Sequence, residues 1–428
     1  MSIVAFLMRL TSQRPRIRWA PIFKVSHRLS YSIFLDEAIG RGDMATFHQK
    51  IKLLKGLVTG DIAHTGPFWV TIDVTRRCNL LCPGCQYHSP ILDILSPGDH
   101  AQKDIPVNLL EKLCNELKIM GTNQIVLTGE GEPFLHPHLF DLISIAKKAG
   151  FNITLLTNGT FLDKNRIQSI IDSRLDILKV SLWASSPEEY ERNYPEAPPG
   201  NFKKIVDGLK LLTSLKAEQK SMLPSVFLHQ PITRHNFQNI DMMVDLAKIT
   251  GSHALSFAPL KPWSAELSSF FLSPDEEQLL RLSLNRIRKQ LETLSISHNI
   301  NETLLRYKMG EDVWKKLPCY IAWVHTRIRV DGTVRPCHCC DLAFGNIHEN
   351  TFHEAWNGPA IRAFRRQTLT CSGLASMGEH CACRFCCFVS DNMRVHQLFR
   401  WLHPFAAAKK GKKPGGEEYV VNMLTAKD

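Results

Sequence analysis

The amino-acid sequence predicts an α/β protein: a parallel sheet covered by helices, followed by a small cysteine-rich C-terminal domain. Three observations lead there. From residue 67 onward, β-branched and aromatic runs alternate with stretches of helical periodicity, the order expected of a parallel sheet. Three thiols, Cys78, Cys82 and Cys85, stand at spacing C-x3-C-x2-C directly after the first of those runs. The other cysteines, apart from Cys114, all lie beyond residue 318.

Residues 1–66 read as a basic, helical cap. Arg9, Arg14, Arg16 and Arg18 precede a helical spacing over Phe47–Leu57. A peripheral membrane contact by the first helix is the minor alternative, since a basic helix with an apolar face can lie at an interface. The core spans 67–272. Its strand-like runs are Trp69–Val74, Gln124–Leu127, Asn152–Thr157, Ile177–Leu182, Ser225–His229 and Ala254–Phe257. Helical patterns separate them at Val107–Met120, Leu139–Ala149, Lys164–Ser173, Asn201–Leu215 and Asn236–Lys248. Six such units suggest an open barrel or a wound sheet, with chemistry on loops at the C-terminal strand ends.

Ser273-Pro274-Asp275-Glu276-Glu277 opens a helix with a serine cap, proline at the first position and acids in the first turn. It is expected to run to about Ser297, making 273–316 a helical bridge. Residues 317–392 form the cysteine-rich domain. There Thr326–Val330 and Thr333–Cys337, joined through Asp331-Gly332, predict a hairpin that brings Cys319 and Cys337 together. Residues 393–428 read as an amphipathic stretch, Met393–His403, and a basic disordered tail around Lys409–Gly416.

Three thiolates in one short loop can ligate three irons of a four-iron cluster and leave the fourth open. The plainer alternatives are a zinc loop or three unrelated thiols, but zinc takes a second ligand pair, which adjacency does not supply here. Further along, Cys319 and Cys337 with the C-x2-C pair Cys383 and Cys386 make four ligands for an iron–sulfur cluster or a zinc ion. Cys339, Cys340, Cys371, Cys381 and Cys387 are left over as material for a second cluster, and Cys114 reads as a buried helix thiol. Thr128-Gly129-Glu130-Gly131-Glu132-Pro133 follows the second strand; its glycines allow close backbone approach, and a carboxylate there can accept hydrogen bonds from an ammonium group. Thr157-Asn158-Gly159 ends the third strand and Ser181 the fourth. A plain turn and a locally bonded hydroxyl are equally good readings of those segments. Trp183 and Tyr190 suit either packing or a substrate mouth.

The cysteine loop resembles the C-x3-C-x-φ-C motif of the radical S-adenosylmethionine (radical SAM) enzymes, with Gly84 where that family usually has an aromatic residue. Gly131 and Glu132 are similar to the end of the family's G-G-E-P motif, with Glu130 in a glycine place; Asn158 and Ser181 resemble its later SAM-pocket positions. Residues 317–392 resemble the SPASM or Twitch extension through Cys319, Gly332, Cys337, Gly345-Asn346-Ile347, Trp356 and the Cys383/Cys386 pair. The resemblance implies a partial (β/α)6 radical SAM barrel with a small auxiliary-cluster domain. It implies a [4Fe-4S] cluster on Cys78, Cys82 and Cys85 whose open iron binds S-adenosylmethionine. Gly131, Glu132, Asn158 and Ser181 would contact SAM. At least one auxiliary Fe-S cluster would rest on Cys319, Cys337, Cys383 and Cys386, and a flavodoxin- or ferredoxin-like donor would supply electrons.

The implied reaction is reductive cleavage of SAM to a 5′-deoxyadenosyl radical that abstracts hydrogen from a substrate carbon. A peptide or protein is the first substrate class. Dehydrogenation or rearrangement of a small molecule, a sugar or cofactor precursor, is the second. A non-catalytic iron–sulfur carrier or scaffold is the alternative from another class. The net charge of +11 fits an anionic partner such as an acidic leader peptide without selecting it. The basic residues are scattered and no nucleic-acid module is present, which argues against nucleic acid. No apolar run approaches the roughly 20 residues of a membrane span, and the first residues lack a signal-peptide cleavage pattern. The chain is therefore expected to be cytoplasmic, where clustered thiols serve as metal ligands.

Overall fold

Every strand and helix predicted from the alternation over 67–272 forms. The computed structural model describes residues 44–92, 103–261, 264–310, 312–378, 380–381, 383 and 386–399. The arginines of residues 1–43 and the end of the chain from residue 400 lie outside them. The strands are β1 (Trp69–Asp73), β2 (Gln124–Thr128), β3 (Asn152–Thr157), β4 (Ile177–Ser181), β5 (Ser225–Ile232), β6 (Ala254–Pro259), β7 (Ser297–His298), β8 (His325–Ile328), β9 (Thr333–Arg335) and β10 (Gly345–Asn346). The helices are α1 (Met44–Thr59), α2 (Val107–Ile119), α3 (Leu139–Lys148), α4 (Lys164–Asp172), α5 (Pro187–Asn193), α6 (Asn201–Glu218), α7 (Met242–Ile249), α8 (Pro274–Thr293), α9 (Ile300–Met309), α10 (Ile321–Val324), α11 (Phe352–Asn357), α12 (Pro359–Thr368), α13 (Cys371–Ala375) and α14 (Val389–Phe399).

Strands β1 to β7 pair in sequence order, all parallel, because a helix returns the chain between successive strands. On the free side of β1 the sheet continues with β8, also parallel, then β9 and β10, both antiparallel. The predicted hairpin of the cysteine-rich region is thus the edge of the barrel sheet itself. Its turn places Gly332 at φ +79, a conformation that favours glycine.

Period-two alternation sorts the strand residues. Val70, Ile72, Leu127, Leu155, Leu178, Val180, Leu228 and Leu255 are buried in the core. Their neighbours Thr71, Val126, Leu156, Lys179, His229 and Ser256 line an internal cavity of about 350 Å³. On α2, Leu110, Leu113, Cys114 and Leu117 form the buried stripe expected at helical spacing.

Helix α8 starts as expected, with Ser273 and Glu276 forming a reciprocal capping box. It stops at Thr293, short of Ser297. Ser295 takes φ +57, and the chain turns to add β7 beside β6. The cap helix α1 lies against the N-terminal side of the sheet. A Cβ on Gly56 would stand 2.8 Å from the Trp323 indole of α10, and Asn123 Nδ2 donates to Gln49 Oε1 at 3.2 Å. The C-terminal region is fixed to the same side by Arg365, whose guanidinium lies 5.0 Å from the Trp323 ring and 4.5 Å from the Trp356 ring. Trp356 Nε1 donates to the Thr65 carbonyl at 2.8 Å. Among the described residues no helix is long and apolar enough to cross a membrane.

Candidate active site

The cysteine loop leaves the C-terminal end of β1 and is held there by backbone. Val74 N–H donates to Thr128 O, Ile105 N–H to Val74 O, and Arg76 N–H to Lys103 O. Cys85 N–H donates to Cys82 O at 3.0 Å, closing the turn. All three thiols are half-buried and close enough that the charge on Cys85 would disfavour charge on the other two. Burial is the larger effect and pushes the Cys78 thiol up to about 11. A bound metal reverses that, since a coordinated thiol deprotonates.

The Gly-rich segment after β2 lies directly against this loop. A Cβ on Gly131 would collide with the Arg77 carbonyl, and one on Gly129 with the Gly131 carbonyl; both positions require glycine. Glu132 N–H donates to Arg77 O at 2.7 Å. The Glu132 carboxylate is buried and accepts from Thr157 Oγ1 at 2.7 Å, Asn158 N–H at 2.7 Å and Phe134 N–H at 3.1 Å. Burial outweighs these bonds and raises its pKa to about 7. Asn158 Nδ2 in turn donates to Asn79 Oδ1 at 2.9 Å, and Asn79 Nδ2 to Thr160 Oγ1 at 2.9 Å. The structure therefore brings Cys78, Cys82, Cys85, Gly131, Glu132 and Asn158 into one connected region.

Ser181 ends β4, and its Oγ accepts from Trp183 Nε1 at 3.3 Å. The same indole explains Gly84. A Cβ there would stand 2.9 Å from Trp183 Cη2 and 2.7 Å from Leu260 Cδ1. Trp183 occupies the space a larger residue before Cys85 would need. Tyr87 points elsewhere, with the Arg327 guanidinium 5.7 Å from its ring.

Glu130, the other departure from the motif, is 3% exposed. Its carboxylate accepts from Arg76 Nε at 2.6 Å and from Arg329 Nε of the hairpin. Arg76 Nη2 reaches Asp331 at 2.8 Å. Beside them Asp73, at the end of β1, takes a two-pronged bond from Arg327 of β8 at 2.7 and 2.8 Å. Arg327 also contacts His338 Nδ1, between Cys337 and Cys339. These buried ion pairs join the cysteine loop to the second cysteine region. None of them is marked by local spacing; Asp73 and Arg327 are charged residues within strands, whereas Arg76, Glu130, Arg329 and Asp331 lie outside the strands.

Polar residues within strands also mark the cavity. Lys179 and His229 face it from β4 and β5, Ser256 from β6, Glu302 and Arg306 from α9, and Asp391 from α14. Burial, then Arg306, bring Lys179 down to about 8. Burial, then Lys179 and Arg306, hold His229 well below its ordinary value. The cavity reaches Thr128 and Gly129 near the cysteine loop, and His338 and Cys387 near the second region.

In that second region Cys319, Cys337, Cys339, Cys340, Cys381 and Cys386 are buried, Cys371 and Cys383 are half-buried, and Cys387 has surface that opens on the cavity. Cys383, Cys386 and Cys387 come to the hairpin cysteines from the segment before α14. Among the described residues no three His, Cys, Asp or Glu side chains converge on one point as a single metal ion requires. Thiols at the corners of a polynuclear cluster need not converge. The donors fit such a group: all-sulfur sets on short loops, held by second-layer hydrogen bonds.

A parallel barrel sheet with a three-cysteine loop at the mouth of β1 and a thiol-rich domain on its edge defines an iron–sulfur protein. Residues 72–246 match the radical SAM superfamily, and residues 319–387 match the SPASM iron–sulfur cluster-binding domain. The chain carries a radical SAM domain and a SPASM domain. Its cofactors are a [4Fe-4S] cluster with SAM and auxiliary clusters. Solved structures share the fold. Streptococcus suis SuiB bound to S-adenosylmethionine matches with TM-score 0.57 at 15% identity, covering 75% of this chain and 73% of that one. The same protein bound to precursor peptide SuiA matches with TM-score 0.57 at 14% identity, covering 85% and 77%. Native anSMEcpe with bound AdoMet and the Cp18Cys peptide matches with TM-score 0.56 at 17% identity, covering 79% and 98%.

Proposed function

We propose that this protein is a radical SAM oxidoreductase that modifies a peptide or protein, with Cys78, Cys82 and Cys85 holding the [4Fe-4S] cluster of the SAM site. When bound, that cluster and SAM supply a 5′-deoxyadenosyl radical able to take hydrogen from an unactivated carbon. The chain's own residues position the reactants. Gly131 gives the SAM site its close backbone approach to the cysteine loop. Glu132 faces the SAM ammonium as a carboxylate, Asn158 fixes the loop through Asn79, and Ser181 offers its hydroxyl to the ribose. Trp183 supplies the aromatic wall that Gly84 lacks. Cys319, Cys337, Cys383 and Cys386 are among the ligands of the auxiliary clusters.

The observation that carries this reading is the junction of the three-thiol loop with Glu132 and Asn158 through backbone and side-chain hydrogen bonds. An electron carrier needs no such pocket. Support for a peptide comes from the SuiB and anSMEcpe structures bound to peptides. The second substrate class, a small polar molecule, is favoured by the cavity with Lys179, His229 and Arg306 on its wall; for a peptide, that cavity takes one side chain.

Anaerobically reconstituted, reduced protein should convert SAM to 5′-deoxyadenosine, and substitution of Cys78, Cys82 or Cys85 by alanine should abolish the product. Deuterium passing from a labelled peptide into deoxyadenosine would identify the substrate class. Transfer only from small molecules would overturn the peptide reading. Absence of both SAM binding and iron at the loop would overturn the enzyme.

A further inference from the structure

Three histidines line the cavity, His229, His325 and His338, and two of them are held by the fold. His325 donates from Nδ1 to the Pro336 carbonyl at 3.1 Å and accepts on Nε2 from Thr71 Oγ1 at 3.0 Å. His338 Nδ1 meets Arg327. His229 differs. Its Nδ1 stands 3.1 Å from Ser256 Oγ, while Nε2 has no hydrogen-bond partner among the described residues. The ring is half-buried, and its open surface is on the cavity. Strand register fixes where that nitrogen stands. Ser181 of β4 lies opposite His229 of β5, and His229 lies opposite Ser256 of β6. The three side chains therefore share the inner face at one level, each within contact range of the next. Ser256 steadies the ring from one side. On the other side is Ser181, whose hydroxyl the proposed function gives to the SAM ribose. The imidazole thus stands between the ribose and the cavity, where the carbon that loses hydrogen has to come.

We propose that His229 sets the specificity of this cavity: its Nε2 hydrogen-bonds an uncharged polar group of the substrate, a hydroxyl or a carboxamide, beside the carbon that loses hydrogen. The proposal rests on the radical SAM reading, with Ser181 at the ribose, and names the kind of side chain that the cavity takes. Charge on the wall narrows the choice. Lys179 and Arg306 line the cavity together with Glu302 and Asp391, so a substrate group of either sign meets a like charge, which is costly at close range. A hydroxyl or carboxamide meets no such penalty. Either group can donate or accept, and so can an imidazole nitrogen, according to its tautomer. The Ser256 hydroxyl complements both tautomers. A site built around such a bond rejects an analogue of equal shape that lacks the polar group, because the site's own polar atom is then left unpaired.

Binding to the reconstituted, oxidised, full-length protein loaded with SAM tests this without radical chemistry. SAM binding is measured first; its absence would strike the proposed function and this proposal with it, whereas failure with SAM bound falls on His229 alone. The probes are pairs of matched shape, N-acetyl-L-threoninamide against N-acetyl-L-valinamide and N-acetyl-L-asparaginamide against N-acetyl-L-leucinamide. In equilibrium dialysis the parent should bind the polar member of at least one pair about tenfold more tightly. His229→Phe, which keeps a ring, should bind both members alike. His229→Gln, which keeps a hydrogen-bonding group, should retain part of the preference. Footprinting of the parent with diethyl pyrocarbonate keeps the test open where the phenylalanine variant fails to fold. His229 should react, His325, which is 1% exposed, should not, and the preferred polar probe should slow the reaction at His229 where its apolar match does not. Equal binding within both pairs, binding of no probe, or a preference that survives His229→Phe would overturn the proposal. So would a glutamine variant no better than phenylalanine, or a preferred probe that leaves His229 as reactive as before.

Discussion

In the cysteine loop three thiols come from one turn, Cys78 to Cys85, while the C-terminal thiols come from segments as distant as Cys319 and Cys387. The loop is closed by its own backbone and by hydrogen bonds to the neighbouring strand ends. The C-terminal thiols come together only once the β8–β9 hairpin, the segment before α14 and α14 itself have packed together. Metal should therefore matter differently in the two places. At the loop it serves chemistry on a scaffold that stands without it; in the C-terminal region it also closes the fold, since binding free energy at an assembled site is folding free energy.

The largest expected effects follow directly. Alanine at Cys78, Cys82 or Cys85 should abolish deoxyadenosine formation yet leave the thermal midpoint close to that of the parent. Alanine at Cys337 or Cys383 should lower the midpoint by several degrees and open the segment after residue 317 to protease, as expected where about 1–2 kcal/mol or more is lost. Equal thermal effects from the two groups would break the distinction.

Next in size is the joint between the regions. Glu130 holds Arg76 of the loop and Arg329 of the hairpin, all largely out of water. Removing one partner of a buried ion pair leaves the others uncompensated, which costs about 3–5 kcal/mol. Glu130→Ala should destabilise by that order in chemical denaturation, and Glu130→Gly, which restores the family's residue, by no less. For contrast, Asp163→Ala removes the exposed Arg166 partner and also the Asp163 cap of α4; it should stay near 1 kcal/mol. A Glu130→Ala effect that small would mean the joint does not depend on Glu130 and is carried by the Asp73–Arg327 pair and apolar packing.

How far the sequence discloses each region follows from the same contrast. The strands and helices of 67–272 repeat at short range, and their periodicity was enough to predict a parallel sheet. The cysteine loop was legible because its three thiols are neighbours in sequence. The approach of Cys381 to Cys340 was not, because it depends on how distant segments pack. Nor does local spacing reveal that β8 would join β1, or that Asp73 would meet Arg327 across that join. Lys179 and His229 had a readable signal, polar side chains within otherwise buried strands, but its meaning depends on which strand face turns inward.

Smaller effects refine the SAM side of the comparison. Gly84→Phe places a ring where Trp183 and Leu260 already stand. Overpacking of this kind costs about 1–3 kcal/mol, and SAM affinity should fall with it. If Trp183 is the aromatic wall of the pocket, Trp183→Ala in the Gly84→Phe background should recover affinity, and SAM should quench Trp183 fluorescence in the parent. Affinity that stays low in the double variant would place the aromatic contact elsewhere.

The smallest prediction concerns pH. Glu132 has its pKa raised to about 7, first by burial. Below that pH the folded protein holds a proton there that an unfolded chain would release near its ordinary value of 4.5. The resulting stability is therefore fully present below pH 4.5 and is lost as pH rises through about 7. SAM binding runs the opposite way, because its ammonium favours the carboxylate. Affinity should be highest above pH 7 and fall by up to about tenfold per pH unit below it, with proton release on binding. Calorimetry in two buffers of different ionisation enthalpy would measure that release, and Glu132→Gln should abolish it. A release that persists in Glu132→Gln would assign the proton to another group in the SAM pocket and leave Glu132 as a brace for Thr157 and Asn158.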